Sequence, residues 1–207
     1  MACPLETHPH YQKRRSALPS KEWGIYVRLL HWVIVLTVTF QLFSSLFMAD
    51  TSTQYLFPYH EIIGLLASLA VLVFWVYAFA VYDLPILFPW NRKGLRIVGS
   101  ETMNLFRGRL PEAGRRVGLS SFIHGLGLLA LTGNALTGVI LFNMLPAVHN
   151  VPPSDPIAFT HYSIDHKFFG DLLWVYWFGH IIFALLHQFL DNNVLGKIFS
   201  LRRRLDR

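Results

Sequence analysis

Three of the chain's ten histidines stand in one long apolar stretch, running from His166 through His180 to His187. Imidazole is a common metal ligand, and a polar side chain inside a membrane span is costly enough to point to function. If the stretch is helical, the 14 residues from His166 to His180 make nearly four turns. Both rings then project from almost one face, about 21 Å apart along the axis. His187 follows seven residues later, again near that face. One helix with a candidate ligand near each membrane surface requires two partner histidines from other segments, and two buried metal centres.

The elements that must supply those partners follow from composition. Of 207 residues, 53% are hydrophobic and 15% aromatic, while only 14% are charged; this is the profile of an integral membrane protein. Four runs, at about 29–48, 60–82, 120–143 and 168–190, meet the length that a transmembrane helix needs. The expected fold is an all-α membrane protein, a four-transmembrane-helix bundle occupying residues 26–200. A tail precedes it at 1–25 and a short basic tail follows at 201–207. The first 28 residues lack the apolar core of a cleavable signal peptide, so the first span is expected to be retained.

Charge gives the orientation. Seventeen of the 18 Lys and Arg residues precede span one, lie between spans two and three, or follow span four; Lys167 alone falls on the other side. The positive-inside rule therefore places both termini in the cytoplasm, in a multi-pass protein of the bacterial inner membrane. That distribution accounts for the net charge of +6 and leaves a nucleic-acid role little to explain. The basic segment 84–118, with an interfacial helix expected around 95–107, reads either as attraction to anionic lipid headgroups or as a docking surface or quinone-pocket wall. The single cysteine, Cys3, allows no internal disulfide, and the absence of Cys-x-x-Cys-His excludes covalent c-type haem attachment.

Alternating topology then sets depths. His60 opens span two at the outer surface, level with His166, whereas His31, a turn or so inside span one, lies at the level of His180. Two histidine pairs at two depths form a constellation for two bis-histidine haems stacked across the membrane, with His187 a geometric rival of His180. Arg28, one turn from His31, can pair with an anionic group such as a haem propionate. Gly64, one turn below His60, reads as clearance for a flat macrocycle or as a helix-packing glycine, and Trp75, Tyr77 and Tyr82 at the end of the same span read as an interfacial belt. His124 and Asn134 in span three read first as structural or supporting groups, Asn134 by hydrogen bonding across the bundle. His149 and His161, in the expected external loop 144–165, read as solvated histidines.

The set Arg28-x-x-His31-Trp32, His60-x-x-x-Gly64, His124 followed by Gly138, His166-x14-His180-x6-His187 and Asp191-Asn-x-x-Leu195 resembles the prokaryotic cytochrome b561 and hydrogenase-type b-cytochrome family. The resemblance implies two non-covalent haem b groups, His31 and His180 on the cytoplasmic-side iron, and His60 and His166 on the outer one. It also implies a quinone site at the inner haem, near His124 and His187; Arg109, Arg115 and Arg116 precede span three and can reach the same rim. The function expected is electron passage between an outer-side donor, a periplasmic redox protein or dehydrogenase subunit, and the quinone pool. An alternative within the same resemblance is a superoxide:quinone oxidoreductase acting at the outer haem. The acidic outer residues Asp50, Glu61, Asp155 and Asp165 disfavour attraction of an anion there. A haem-free metal transporter or membrane anchor is the competing class. No G-x-G-x-x-G supports a self-contained nicotinamide oxidase.

Overall fold

The computed structural model describes residues 25–48, 55–81, 84–111, 116–146 and 152–189. The tails, Cys3, Arg115, His149 and the Asp191–Leu195 motif lie outside the described residues. Among the described residues six helices follow one another: α1 (Ile25–Ser45), α2 (Phe57–Ala80), α3 (Leu84–Leu87), α4 (Arg92–Phe106), α5 (Leu119–Met144) and α6 (Pro156–Phe189). Four of them, α1, α2, α5 and α6, are long and apolar enough to cross a membrane. Their outward faces are unusually greasy, with Leu36, Ile62, Val76 and Val175 all exposed. This inverts the soluble pattern and suits contact with acyl chains.

The bundle is assembled by neighbours: α1 lies along α2, α2 along α5, and α5 along α6, while α1 and α6 meet over a shorter length. Without a hydrophobic drive between helices in lipid, close approach depends on small residues at the interface. A Cβ at Gly127 would fall into the ring of Tyr176, and one at Gly133 into the ring of Phe169. These two glycines let the backbone of α5 lie against aromatic side chains of α6. At the centre Leu42, Ala130 and Leu173 are buried, with Trp174 and Trp177 packed on them.

The helix ends follow local rules. Pro58 sits in the first turn of α2, where its missing N–H costs nothing. Asn91 caps α4, its side-chain oxygen accepting from the Gly94 N–H at 2.8 Å. The start of α5 is held from a distance: Glu101 of α4 accepts from the Leu119 N–H at 2.8 Å and pairs with Arg116 at 2.6 Å. So α4 is tied to the bundle through a charge at a helix N-terminus. Its Gly94 and Val98 face inward, leaving Leu95, Met103 and Phe106 exposed beside Arg92, Lys93 and Arg96.

Two expectations change. The last helix begins at Pro156 rather than near 168, because Asp155 accepts from the N–H groups of Ile157 and Ala158 at 3.1 and 3.0 Å and proline suits the first turn. Much of the expected external loop is therefore helix, and His161 lies exposed on it. At 34 residues, α6 is about 51 Å long against a hydrocarbon core of about 30 Å. Trp75 is not an interfacial anchor; its indole N–H donates to Thr132 Oγ1 at 2.9 Å and its ring stacks on Phe88.

Gly127→Leu should force α5 off α6, an overpacking cost of about 1–3 kcal/mol. Thermal melting of the detergent-solubilised protein should show a lower midpoint; an unchanged midpoint would mean that the contact with Tyr176 is slack.

Candidate haem-binding histidine pairs

The rigid rise of α6 carries His166 and His180, and the neighbouring helices bring one histidine to each. The ring of His60, near the start of α2, stands 6.4 Å centre to centre from that of His166. The ring of His31, on α1, stands 6.4 Å from that of His180. The spacing along α1 agrees with that along α6. Ser44 contacts His60 and lies 13 residues from His31, which is about 20 Å of helix and matches the 21 Å or so between His166 and His180.

Whether these pairs fit an iron can be tested on distance. Imidazole nitrogens sit about 2 Å from a first-row metal, and each ring centre lies about 1 Å behind its nitrogen, so two rings across one metal have centres roughly 6 Å apart. Both pairs meet that value. Two imidazoles fill only the axial positions of an octahedral iron, and among the described residues no group of three or more His, Cys, Asp and Glu gathers to complete a free-ion site. A porphyrin supplies the other four nitrogens, so the donor set suits haem better than a bare cation.

The outer nitrogens of the rings are held as a ligand requires. His166 Nδ1 donates to the Asn134 carbonyl at 3.0 Å and stands 3.0 Å from Thr137 Oγ1. His60 Nδ1 lies 2.8 Å from Ser44 Oγ. The Asn134 carbonyl can only accept, so His166 keeps Nε2 as its lone-pair nitrogen, and Ser44 can accept from His60 in the same way. The backbones are pinned as well: Asn134 Nδ2 donates to the His166 carbonyl at 3.0 Å, and Gln41 Nε2 to the His60 carbonyl at 2.7 Å. Asn134 thus makes the cross-bundle bond expected of it. Gly138 gives the His166 ring its room, since a Cβ there would come within 3.1 Å of Cε1. Gly64 faces Gln41, whose Nε2 would lie 3.2 Å from a Cβ, so in this structure it packs a helix contact that positions His60.

At the other level the surroundings differ. Tyr176 stacks on His180 at 5.5 Å, and the His124 ring stands 5.0 Å from that of His180. His124 is exposed on α5, and its Nδ1 contacts the Ser120 carbonyl at 2.6 Å, one turn back. His187 is buried on α6, Arg28 is half-buried one turn before His31, and Arg109 is exposed beyond α4. Arg116, which the sequence offers as another rim cation, is committed to Glu101. Tyr176, Ser44, Thr137 and Gln41 carry no periodic signal and could not be singled out by sequence.

A family model for prokaryotic cytochrome b561 matches residues 22–200. The chain belongs to that family. No curated protein and no solved structure gives a match. Membership makes this a membrane b-type cytochrome of electron transfer that binds haem b, in a bacterial multi-pass setting consistent with the four apolar helices.

Because His180 rather than His187 stands opposite His31, His180→Ala should lose one haem from the purified protein. His187→Ala should keep the wild-type content by haemochrome assay. The reverse result would exchange their roles.

Proposed function

We propose that the protein carries two haem b groups, one between His31 and His180 and one between His60 and His166. In this reading it passes electrons from an outer-side redox partner to a membrane quinone. The single observation behind the reading is that two histidine pairs with the same 6.4 Å ring separation are held at two levels of one bundle. When bound, the haems would supply reversible one-electron chemistry, with His31, His180, His60 and His166 holding them through two imidazoles each, a donor set that would favour electron transfer over oxygen binding. In this reading both termini lie in the cytoplasm, which the distribution of basic residues supports. The His60–His166 level then faces outward.

The quinone site belongs at the His31–His180 level. A quinone arrives sideways from the lipid, and His124 is an exposed histidine on a membrane-spanning helix, a placement that is expensive without a function. Its Nδ1 is engaged with the Ser120 carbonyl of its own helix, which leaves Nε2, when the ring has taken up a second proton, to donate to an incoming carbonyl oxygen. Reduction of one quinone takes two electrons, delivered singly, and two protons. His124 can hand one proton on, with His187 and the exposed Arg109 between the site and the cytoplasm. Arg28 is placed for a propionate, and the lipid bilayer is the remaining partner.

A pyridine haemochrome assay with protein quantitation should give two haems per chain; a ratio near one would remove one pair. His124→Leu should leave the haem spectrum intact yet slow reoxidation of the reduced protein by a soluble quinone by about a hundredfold, the low end of what a lost proton-transfer group costs. An unchanged rate would move the quinone away from His124.

A further inference from the structure

The two histidine levels differ in what holds the nitrogen turned away from the paired ring. At His60, Ser44 Oγ lies 2.8 Å from Nδ1 and 3.2 Å from the Gln41 carbonyl, to which it donates; with Nε2 given to iron, the ring hydrogen is on Nδ1 and Ser44 accepts it. At His166, Thr137 Oγ1 gives its hydrogen to the carbonyls of Gly133 and Asn134 at 2.8 and 3.0 Å, leaving it an acceptor too. The Asn134 carbonyl, which can only accept, is shared with the same Nδ1–H. Both rings of this pair are therefore fixed as donors to oxygen. In the other pair, His31 Nδ1 is buried with no hydrogen-bond partner among the described residues.

We infer that Ser44, Thr137 and the Asn134 carbonyl make the His60–His166 level the more reducing of the two, and so set the direction of electron flow through the bundle. The inference rests on the reading of both pairs as axial ligands. An imidazole whose Nδ1–H donates to oxygen gains negative character and becomes a stronger base at Nε2. A stronger axial donor favours the oxidised metal and lowers its potential; hydrogen bonding around the ligand is one of the protein's levers on that potential. His31 lacks this assistance. An electron that enters at the His60–His166 level therefore runs downhill to the level where His124 stands. Ser44 and Thr137 act as positioning residues, through the histidines and not on any substrate.

Potentiometric titration of the purified holoprotein, followed in the α band, tests this. The wild type should titrate in two steps. Ser44→Ala should move the lower step upward and leave the upper step in place, while Ser44→Thr, which keeps an acceptor, should restore the wild-type value. If Ser44→Ala loses haem, Thr137→Val provides the same test, again with the lower step rising. A shift of the upper step, or of neither, would overturn the inference. Haem content measured on the same samples separates the two claims. A wild-type ratio of two with unmoved potentials removes only the polarity, whereas a ratio of one removes the two-haem reading beneath it.

Discussion

An α-helix cannot stretch, and the 14 residues between His166 and His180 therefore hold the two histidine levels about 21 Å apart whatever else the chain does. The rest of the bundle accommodates that fixed ruler. Helix α1 must deliver His31 to one end and Ser44 to the other, and α2 must begin close to the level of His166 so that His60 arrives in its first turn. Glycines on α5 then allow α6 to approach closely enough for the rings to be seated rather than pushed outward. Packing in lipid offers little tolerance for a misplaced polar ring, since an unsatisfied polar group there has no water to turn to.

Much of this was legible before any coordinates. Apolar run length marked the four spans, and alternating direction paired His31 with the level of His180 and His60 with that of His166. Both arguments use only rise per residue, which sequence spacing encodes directly. What escaped was everything that depends on a side chain meeting another helix. Gly64, one turn from His60, left two readings open, clearance for a macrocycle and helix packing. In the structure that face meets Gln41, a neighbour that only the crossing of α1 and α2 reveals. Trp75 read as an interfacial anchor because it stands near the end of its span, yet its N–H is drawn inward by Thr132.

The start of α6 shows a different failure. Hydropathy finds where a helix becomes apolar, not where it begins. The segment from Pro156 to Asp165 is too polar to register as a span, and its four nearby prolines look like a loop. One capping aspartate with a proline just after it is enough to start the helix twelve residues early, because the propensity of the segment is adequate once the first turn is nucleated. The rise of α6 beyond the hydrocarbon core is thus a product of local capping and not of membrane thickness.

Hydroxyl groups carry out a shared task across the bundle. A Ser or Thr in a membrane helix can satisfy its own hydrogen on a carbonyl one turn back, as Thr132 does with Leu128, Ser44 with Gln41 and Thr137 with Gly133. Each oxygen then keeps lone pairs that can only accept. All three meet a ring N–H from another helix: the indole of Trp75 and the imidazoles of His60 and His166. A carboxylate would be the stronger acceptor, but it would bring a charge into the hydrocarbon layer at far greater cost. A hydroxyl already bonded to its own helix is neutral, polarised by the carbonyl it serves, and fixed in direction. That makes it a suitable group for orienting a histidine inside a membrane, and its presence at one level of the bundle but not beside His31 Nδ1 is what distinguishes the two ends.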